Sequence, residues 1–215
     1  ARLALVGLST PGEIEADWHP VAVGAEISTA IEPYPMPPCA TYRTIPAKSV
    51  TKLADGKYVF DLGVNFAGLA TLRLKGMKGG EEVVLRHGEI LKEDGTVYVE
   101  NLRTALATDV YTARPGDQEW TPRATFHGFR YVQLDGDVPV DETTIVGNAI
   151  SNAQEPACGF SCSEPRLNTL WENIDRTFRS NFIEVPTDCP QRDERMGWTG
   201  DIQVFCRTAM LLADS

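Results

Sequence analysis

The chain has 215 residues, of which 42% are hydrophobic and 23% charged, the balance of an ordinary globular protein with one large domain or slightly more. Its formal net charge of −10 argues against nucleic acid or an anionic membrane as the main partner, because both require a basic face. The longest apolar runs are also far shorter than the ~18 residues of a membrane-spanning helix. A neutral ligand such as a sugar is compatible with this composition.

Residues 1–50 read as a lead-in segment or as the tail of a preceding domain. Four prolines crowd the stretch 33–38, so neither a helix nor a central strand can run through it. We expect only one or two edge strands here. The sequence does not begin with Met, which indicates a start inside a longer protein or processing of the chain.

From about residue 57 onward, short strand patterns alternate with turns. Residues 69–75 alternate between apolar and polar side chains, and a glycine-rich turn at 76–80 follows. Six strands are expected, at residues 57–62, 69–75, 82–88, 108–113, 128–134 and 143–150. Short strands at this spacing predict a mainly β chain, with an antiparallel β-sandwich over residues 51–155.

Helical periodicity begins after residue 156. Ser163 is a suitable N-cap with Pro165 in the first turn, and the helix should end near Ser180. Its apolar stripe consists of Leu167, Leu170, Trp171, Ile174 and Phe178. A second helix should start near Thr199, its N-cap. The buried stripe of this second helix is expected to be Ile202, Phe205, Ala209 and Leu212.

Two helices of this kind cannot form a domain on their own, because their apolar stripes need further elements to pack on. We therefore expect residues 156–215 to be the N-terminal part of an incomplete all-helical domain. If the remaining helices are absent, the exposed stripes should favour self-association through this region.

The cysteines are odd in number, and their spacings match no zinc site. They are Cys39, Cys158, Cys162, Cys189 and Cys206. We interpret them as reduced and mostly buried thiols, which favours a reducing compartment such as the cytoplasm.

No metal-ligand cluster or phosphate loop is evident, so we expect no metal and no cofactor. His87 and His127 lie on predicted strands and are interpreted as structural residues with local hydrogen bonds.

A dense cluster of charges lies within residues 185–201. It contains four carboxylates, two arginines and a tryptophan: Asp188, Arg192, Asp193, Glu194, Arg195, Trp198 and Asp201. Prolines and glycines interrupt any regular pattern, and apolar residues flank the cluster on both sides. Charges set between apolar elements indicate a polar site on a packed scaffold.

This cluster has the side chains that a glycoside hydrolase site needs. Crowded carboxylates favour the protonated form of one of them, and a protonated carboxyl group can donate to a leaving oxygen. Aspartates can accept hydrogen bonds from sugar hydroxyls, and Trp198 offers a face for stacking. Arg192 and Arg195 oppose protonation if they face the same way. Adjacent side chains in an extended loop point to opposite sides, so the spacing does not decide whether Asp193 or Glu194 faces the site.

The segment 188–201 resembles the signature of bacterial α-L-rhamnosidases, glycoside hydrolase family 78. Four upstream segments resemble the concanavalin-like β-sandwich that precedes the catalytic barrel in that family: residues 86–91, 101–103, 107–111 and 126–131. The resemblance covers roughly residues 55–212. It implies an (α/α)6 barrel after residue 160, of which this chain holds only the first helices.

The resemblance also implies an inverting hydrolase that removes terminal α-L-rhamnose from glycosides or oligosaccharides. In that family Glu194 corresponds to the general acid. The residues that correspond to contacts with the rhamnose in the −1 subsite are Asp188, Arg192, Asp193, Trp198 and Asp201. The general base is a second glutamate far downstream, to which nothing here corresponds. Because an inverting reaction needs both groups, the chain alone is expected to have little or no activity.

Two other interpretations remain open at this point. The chain could be a non-catalytic carbohydrate-binding or interdomain β-sandwich with a helical stub. Alternatively, the charged cluster could be a salt-bridged structural loop in an unrelated α+β protein. The interpretations differ in the role of Glu194, since replacing it by Gln should abolish turnover only in the hydrolase.

Overall fold

The computed structural model describes residues 20–25, 28–153 and 156–213. The chain divides into two units, Ala1–Pro35 and Met36–Ser215. In the first unit, the described residues 20–25 and 28–35 form neither helix nor strand, and the start of the predicted lead-in segment lies outside the described residues. The elements that follow all belong to the second unit.

Eight strands form one antiparallel sheet in the second unit. They are β1 (Ala40–Pro46), β2 (Ser49–Lys52), β3 (Tyr58–Met77), β4 (Glu82–Gly88), β5 (Thr108–Thr112), β6 (Gly116–Trp120), β7 (His127–Asp135) and β8 (Ile145–Ser151). Their order is β1-β8-β3-β7-β4-β5, and β2 and β6 also pair with β3. β1 lies at an edge of this sheet, within the lead-in segment 1–50, for which one or two edge strands were expected.

The long strand β3 belongs to two layers of the sheet. Its first half lies between β2 and β7, with Asp61 opposite Tyr131. Its second half pairs with β8 and then with β6, with Leu72 opposite Ile145. Because one strand is shared, the two layers join into an antiparallel β-sandwich, which confirms the predicted fold class.

The prediction of two separate strands at 57–62 and 69–75 is wrong, because β3 runs through both. The register between β3 and β7 shifts between Asp61 and Phe66. Gly63 lies within this shift at φ 79°, a conformation that a residue with a Cβ adopts only with strain. The strand therefore continues through a bulge instead of ending in a turn.

The core of the sandwich is filled by aromatic and aliphatic side chains from both layers. Seventeen buried residues form one cluster, and Phe60, Phe129, Leu72 and Ile145 within it have no exposed surface. Burying one side chain of this size stabilises the fold by about 1.5–3 kcal/mol. The sandwich is therefore the most strongly packed part of the chain that the structure describes.

Two helices and a short hairpin follow the sandwich. They are α1 (Pro165–Asn181), β9 (Phe182–Ile183), β10 (Val185–Pro186) and α2 (Thr199–Leu212). The predicted helices are confirmed, although both N-caps shift by one residue. Glu164 rather than Ser163 caps α1, because its Oε1 accepts a hydrogen bond from the backbone N–H of Arg166. Trp198 rather than Thr199 occupies the cap position of α2.

The helices bury only part of their predicted apolar stripes. Their core cluster consists of Phe178, Phe182, Ala209, Leu212 and Ala213. Leu167 and Leu170 on α1 are about half exposed. These faces are open in this structure, as expected for helices without further neighbours. Neither helix in the described residues is both long enough and apolar enough to cross a membrane.

All five thiols are free, but the interpretation of them as mostly buried is wrong. Only Cys189 is buried, whereas Cys158 and Cys206 are exposed. Both exposed thiols lie in the helical region, whose buried core cluster has only five members among the described residues.

Candidate active site

The charged cluster forms a closed loop between β10 and α2. Asp188 closes it, because its backbone N–H donates to Met196 O at 3.2 Å and its Oδ1 accepts from the Met196 N–H at 3.0 Å. The buried Cys189 places its Sγ 3.1 Å from Asp188 Oδ2. Burial alone would raise the pKa of Asp188, but the hydrogen bonds from Cys189 and Met196 lower it overall. Asp188 is therefore an ionised residue that holds the two ends of the loop together.

Glu194 lies at the centre of the charged contacts in this loop. Its Oε1 accepts a hydrogen bond from Trp198 Nε1 at 3.2 Å. Its Oε2 is 2.8 Å from Nη1 of Arg103 and 3.0 Å from Nη2 of Arg192. Arg192 Nη2 also lies 3.8 Å from Asp188 Oδ2. Two predicted site residues, Arg192 and Trp198, thus converge on one carboxyl group whose side chain is only 20% exposed.

Asp193 lines the same cavity as Glu194 but makes its hydrogen bonds to Thr104. Its Oδ2 accepts hydrogen bonds from the Thr104 N–H at 3.2 Å and from the Thr104 hydroxyl. These hydrogen bonds hold the pKa of Asp193 below its usual value. The structure therefore separates the two adjacent acids: Glu194 faces the arginines and Trp198, and Asp193 attaches the loop to the sandwich.

Arg103 and Thr104 are site residues that the charge pattern does not predict. Thr104 lies 89 positions before Asp193 in the sequence. Both residues follow a single 3-10 turn at Glu100–Leu102, which the buried Leu102 anchors in the sandwich. The only sequence signal near them is the resemblance of 101–103 to the rhamnosidase sandwich.

The sandwich also supports the loop through two packing contacts. The guanidinium of Arg195 stacks on the ring of Phe126 at 4.4 Å, and burial lowers the pKa of Arg195. At Gly128 on β7, an added Cβ would lie 2.9 Å from Gln191 Cβ and 3.0 Å from Pro190 Cγ. A glycine therefore lets the loop approach β7 this closely.

Five of the six predicted site residues line one of two cavities, and Trp198 lines neither of them. Arg192, Asp193 and Glu194 line a cavity of about 380 Å³ together with His127. A second cavity, of about 460 Å³, lies at the ends of α1 and α2. Among its lining residues are Asp188, Asp201, Phe178, Phe182 and Phe205. Asp201 is exposed in the first turn of α2, and Trp198 is 49% exposed, which leaves part of its indole available to a ligand.

His87 and His127 each have the local hydrogen bond that their strand positions predict. His87 Nδ1 is 3.0 Å from Ala107 O, and His127 Nε2 is 3.1 Å from Asp109 Oδ2. Burial, followed by the neighbouring His127, lowers the pKa of His87 to about 3, so its ring is neutral near pH 7. Burial would raise the pKa of Asp109, but the hydrogen bond with His127 and the proximity of both imidazole rings lower it overall.

Two sets of side chains in the described residues have ligand-type atoms within 4.8 Å of one another. They are His87, Asp109 and His127, and Asp188, Cys189 and Glu194. A metal must lie near the plane of each ligating imidazole, ~2 Å from its nitrogen. The stacked histidine rings are inclined by only 19°, so their planes do not meet within that distance. The carboxylates of the second set are already paired with arginines. Neither set has the geometry of a metal site.

Comparison with known proteins identifies the family. Residues 51–151 match the bacterial α-L-rhamnosidase concanavalin-like domain, and residues 155–215 match the bacterial α-L-rhamnosidase 6 hairpin glycosidase domain. An α-L-rhamnosidase of Streptomyces avermitilis is 41% identical over the whole chain. The chain belongs to the bacterial α-L-rhamnosidase family. The expected concanavalin-like sandwich is thereby confirmed.

Other rhamnosidases are similar to this chain in sequence and structure. An α-L-rhamnosidase of Formosa agariphila is 39% identical over the whole chain. The crystal structure of the Streptomyces avermitilis α-L-rhamnosidase complexed with L-rhamnose superposes on the whole chain with a TM-score of 0.93 at 40% identity. The α-L-rhamnosidase of Aspergillus terreus superposes on 83% of the chain with a TM-score of 0.77 at 43% identity, and the chain covers 21% of that structure. The chain spans 21% of the Streptomyces relative and its structure, and 23% of the Formosa relative.

Proposed function

We propose that this chain is part of a glycoside hydrolase that removes terminal α-L-rhamnose, and that Glu194 is its general acid. The observation that carries the proposal is that the mostly buried Glu194 carboxyl group accepts a hydrogen bond from Trp198 and lines a cavity. Membership of the rhamnosidase family supports the reaction class. The Streptomyces avermitilis relative crystallised with L-rhamnose supports the substrate class.

The proposal includes a division into two domains. Residues 51–155 form the sandwich domain after the lead-in segment 1–50, and residues 156–215 form the start of a helical (α/α)6 barrel. The half-exposed Leu167 and Leu170 support this division, because apolar helix faces pack on further helices. The match to a 6 hairpin glycosidase domain supports it as well.

The proposed reaction inverts the configuration at C1 of rhamnose. Glu194 gives its proton to the glycosidic oxygen while the bond from that oxygen to C1 breaks. A water molecule attacks C1 from the opposite face and gives its proton to a second carboxylate ~6.5–9.5 Å from the acid. In this proposal that base is a glutamate outside the 215 residues, so the chain alone should not turn over substrate.

The remaining predicted residues bind the sugar in this proposal. Asp188 and Asp201 accept hydrogen bonds from rhamnose hydroxyls, and the exposed part of Trp198 packs on the ring. Asp193 contacts the sugar through Oδ1, since Thr104 occupies Oδ2. Arg192 connects the acid to the sugar-binding aspartates, because its guanidinium lies near both Glu194 and Asp188.

An assay on the full-length protein that carries this sequence tests the proposal. We expect hydrolysis of 4-nitrophenyl α-L-rhamnoside but not of 4-nitrophenyl β-D-glucoside, and proton NMR should detect β-L-rhamnose as the first product. A first product in the α configuration would contradict the inverting mechanism. Binding of rhamnose without any turnover would favour the non-catalytic carbohydrate-binding module instead.

A further inference from the structure

We propose that Arg103, which lies in the sandwich, is a positioning residue for the acid Glu194 and determines which carboxyl oxygen carries the proton. This inference rests on the proposed function of Glu194. Arg103 lies outside the charged loop, yet its Nη1 is 2.8 Å from Glu194 Oε2, slightly closer than Nη2 of Arg192. The sandwich domain therefore contributes directly to the surroundings of the acid.

The backbone at Arg103 is held in an uncommon conformation. Its φ of 58° and ψ of −118° lie in a region that favours glycine. Residues on both sides keep it there: Leu102 is buried, and Thr104 donates two hydrogen bonds to Asp193. Strain of this kind persists where the surroundings impose it, and it is concentrated at functional positions. Here it occurs at a sandwich residue whose side chain reaches Glu194.

The contacts of Glu194 assign different roles to its two oxygens. Guanidinium groups are cations that carry only donor hydrogens, so a proton on Oε2, which lies within 3.0 Å of a nitrogen of both Arg103 and Arg192, would face two positive charges. Oε1 accepts a hydrogen bond from Trp198 Nε1, and a protonated oxygen can still accept that hydrogen bond. In this proposal the proton of the acid lies on Oε1, beside the indole on which the sugar packs in the proposed site.

The same arrangement stabilises the transition state of proton transfer. As Oε1 gives its proton to the glycosidic oxygen, negative charge develops on the carboxyl group. Arg103 and Arg192 already lie at Oε2 and need no rearrangement to stabilise that charge. The benefit is greatest for substrates whose leaving group needs protonation, and small for a leaving group that departs as a stable anion.

Leaving-group dependence therefore tests the role of Arg103 in the full-length protein. We expect Arg103→Gln to lower kcat/KM about 100-fold for methyl α-L-rhamnoside. For 2,4-dinitrophenyl α-L-rhamnoside, which needs no acid, the same variant should lose less than about fivefold, with most of either loss in kcat. Arg103→Lys should recover part of the loss, because it keeps the charge without the planar fork.

Arg73→Gln is a matched control. Arg73 pairs with Glu119 at 2.7 Å and has a 44% exposed side chain, against 53% for Arg103, but it lies on β3 outside both cavities. We expect this variant to retain wild-type kinetics on both substrates. Combining Arg103→Gln with Glu194→Gln should cost no more on 4-nitrophenyl α-L-rhamnoside than Glu194→Gln alone, because Arg103 acts through that residue.

A second variant separates the functional role from a structural one. Arg103→Gly removes the side chain and relieves the positive φ, so its melting temperature should equal or exceed that of the wild type. Its loss of activity on the methyl rhamnoside should match that of Arg103→Gln. Equal losses on both substrates, or full additivity with Glu194→Gln, would overturn the role of Arg103 while leaving rhamnosidase activity intact. A wild-type protein that hydrolyses neither rhamnoside would instead overturn the proposed function.

Discussion

The sandwich and the charged loop are ordered by different interactions. Seventeen buried residues hold the sandwich together, and its strands share one continuous sheet. The loop between β10 and α2 has no comparable core and is fixed by hydrogen bonds, ion pairs and packing against the sandwich at Thr104, Phe126 and Gly128. The position of the candidate acid therefore depends on contacts with the sandwich and not on a core within its own segment.

The helices resemble the loop in this respect. Five buried residues form their cluster, and much of each apolar stripe is open to solvent. The charged loop thus joins a strongly packed sandwich to a weakly packed pair of helices. Perturbations of the sandwich should therefore affect stability more than equivalent changes in the helices of this chain.

The largest expected effect is the loss of a sandwich core side chain. Phe129→Ala should lower the free energy of unfolding of this chain by about 3–5 kcal/mol, because Phe129 has no exposed surface and packs against Phe66. Leu170→Ala, on the open face of α1, should cost less than about 1 kcal/mol. Urea unfolding measures both. If both variants lost a similar free energy of unfolding, the sandwich would not be more strongly packed than the helices.

Acid should weaken the sandwich through His87. Its folded pKa is about 3 against an ordinary value near 6.5, so between these pH values the unfolded chain binds a proton that the folded chain does not. The free energy of unfolding should be fully maintained above pH 6.5 and fall by on the order of 3 kcal/mol by pH 4. Protonation of Asp109, whose pKa is also lowered, adds to the loss at still lower pH.

The control for this pH effect is His87→Gln, which removes the titrating ring. Its urea midpoint should be lower at pH 7 but should change less between pH 7 and pH 4 than that of the wild type. The same pH slope in both proteins would show that another group causes the acid sensitivity.

An intermediate effect is expected at the contact between the sandwich and the loop. Gly128→Ala should cost about 1–3 kcal/mol and reduce turnover in the full-length protein, since the new Cβ displaces Gln191 and Pro190. Gly159→Ala is the matched control, because nothing lies within 4 Å of a Cβ at that position. Unchanged turnover in the Gly128 variant would mean that close approach to β7 does not position Glu194.

The smallest effect is expected at an exposed ion pair of the sandwich. Arg73→Gln removes the pair with Glu119, whose side chain is 59% exposed, and should change the free energy of unfolding by less than about 1 kcal/mol. Thermal unfolding checks this. A larger change would show that surface charges, and not only the buried core, stabilise the sandwich.

Local patterns in the sequence predicted much of the fold but not the full length of β3, the strand that pairs with four others. Alternation and turn residues located β3, β4, β5, β7 and β8 but not β6, and apolar periodicity located both helices. They missed the continuity of β3, because a bulge at Gly63 carries the same sequence signal as a turn. The burial of the helix stripes also could not be predicted, since it depends on neighbours that local periodicity does not specify.

The sequence predicted which residues belong to the candidate site, but it could not predict how their side chains are oriented. The charge cluster and its resemblance to a known signature predicted Glu194, Arg192 and Trp198 as site residues, and these three are in contact in the structure. Spacing alone could not orient Asp193 and Glu194, because that choice depends on Thr104 and Arg103. These two residues are close to the acids only in the folded chain, so no local pattern could assign them a role.

The most direct test of the account is the leaving-group dependence of Glu194→Gln in the full-length protein, with Glu119→Gln as the control. We predict that kcat/KM for methyl α-L-rhamnoside falls about 1,000-fold or more, while that for 2,4-dinitrophenyl α-L-rhamnoside falls less than about tenfold. Glu119→Gln should match the wild type on both substrates. Equal losses on the two rhamnosides, or no loss on either, would contradict the claim that the loop held by the sandwich carries the general acid.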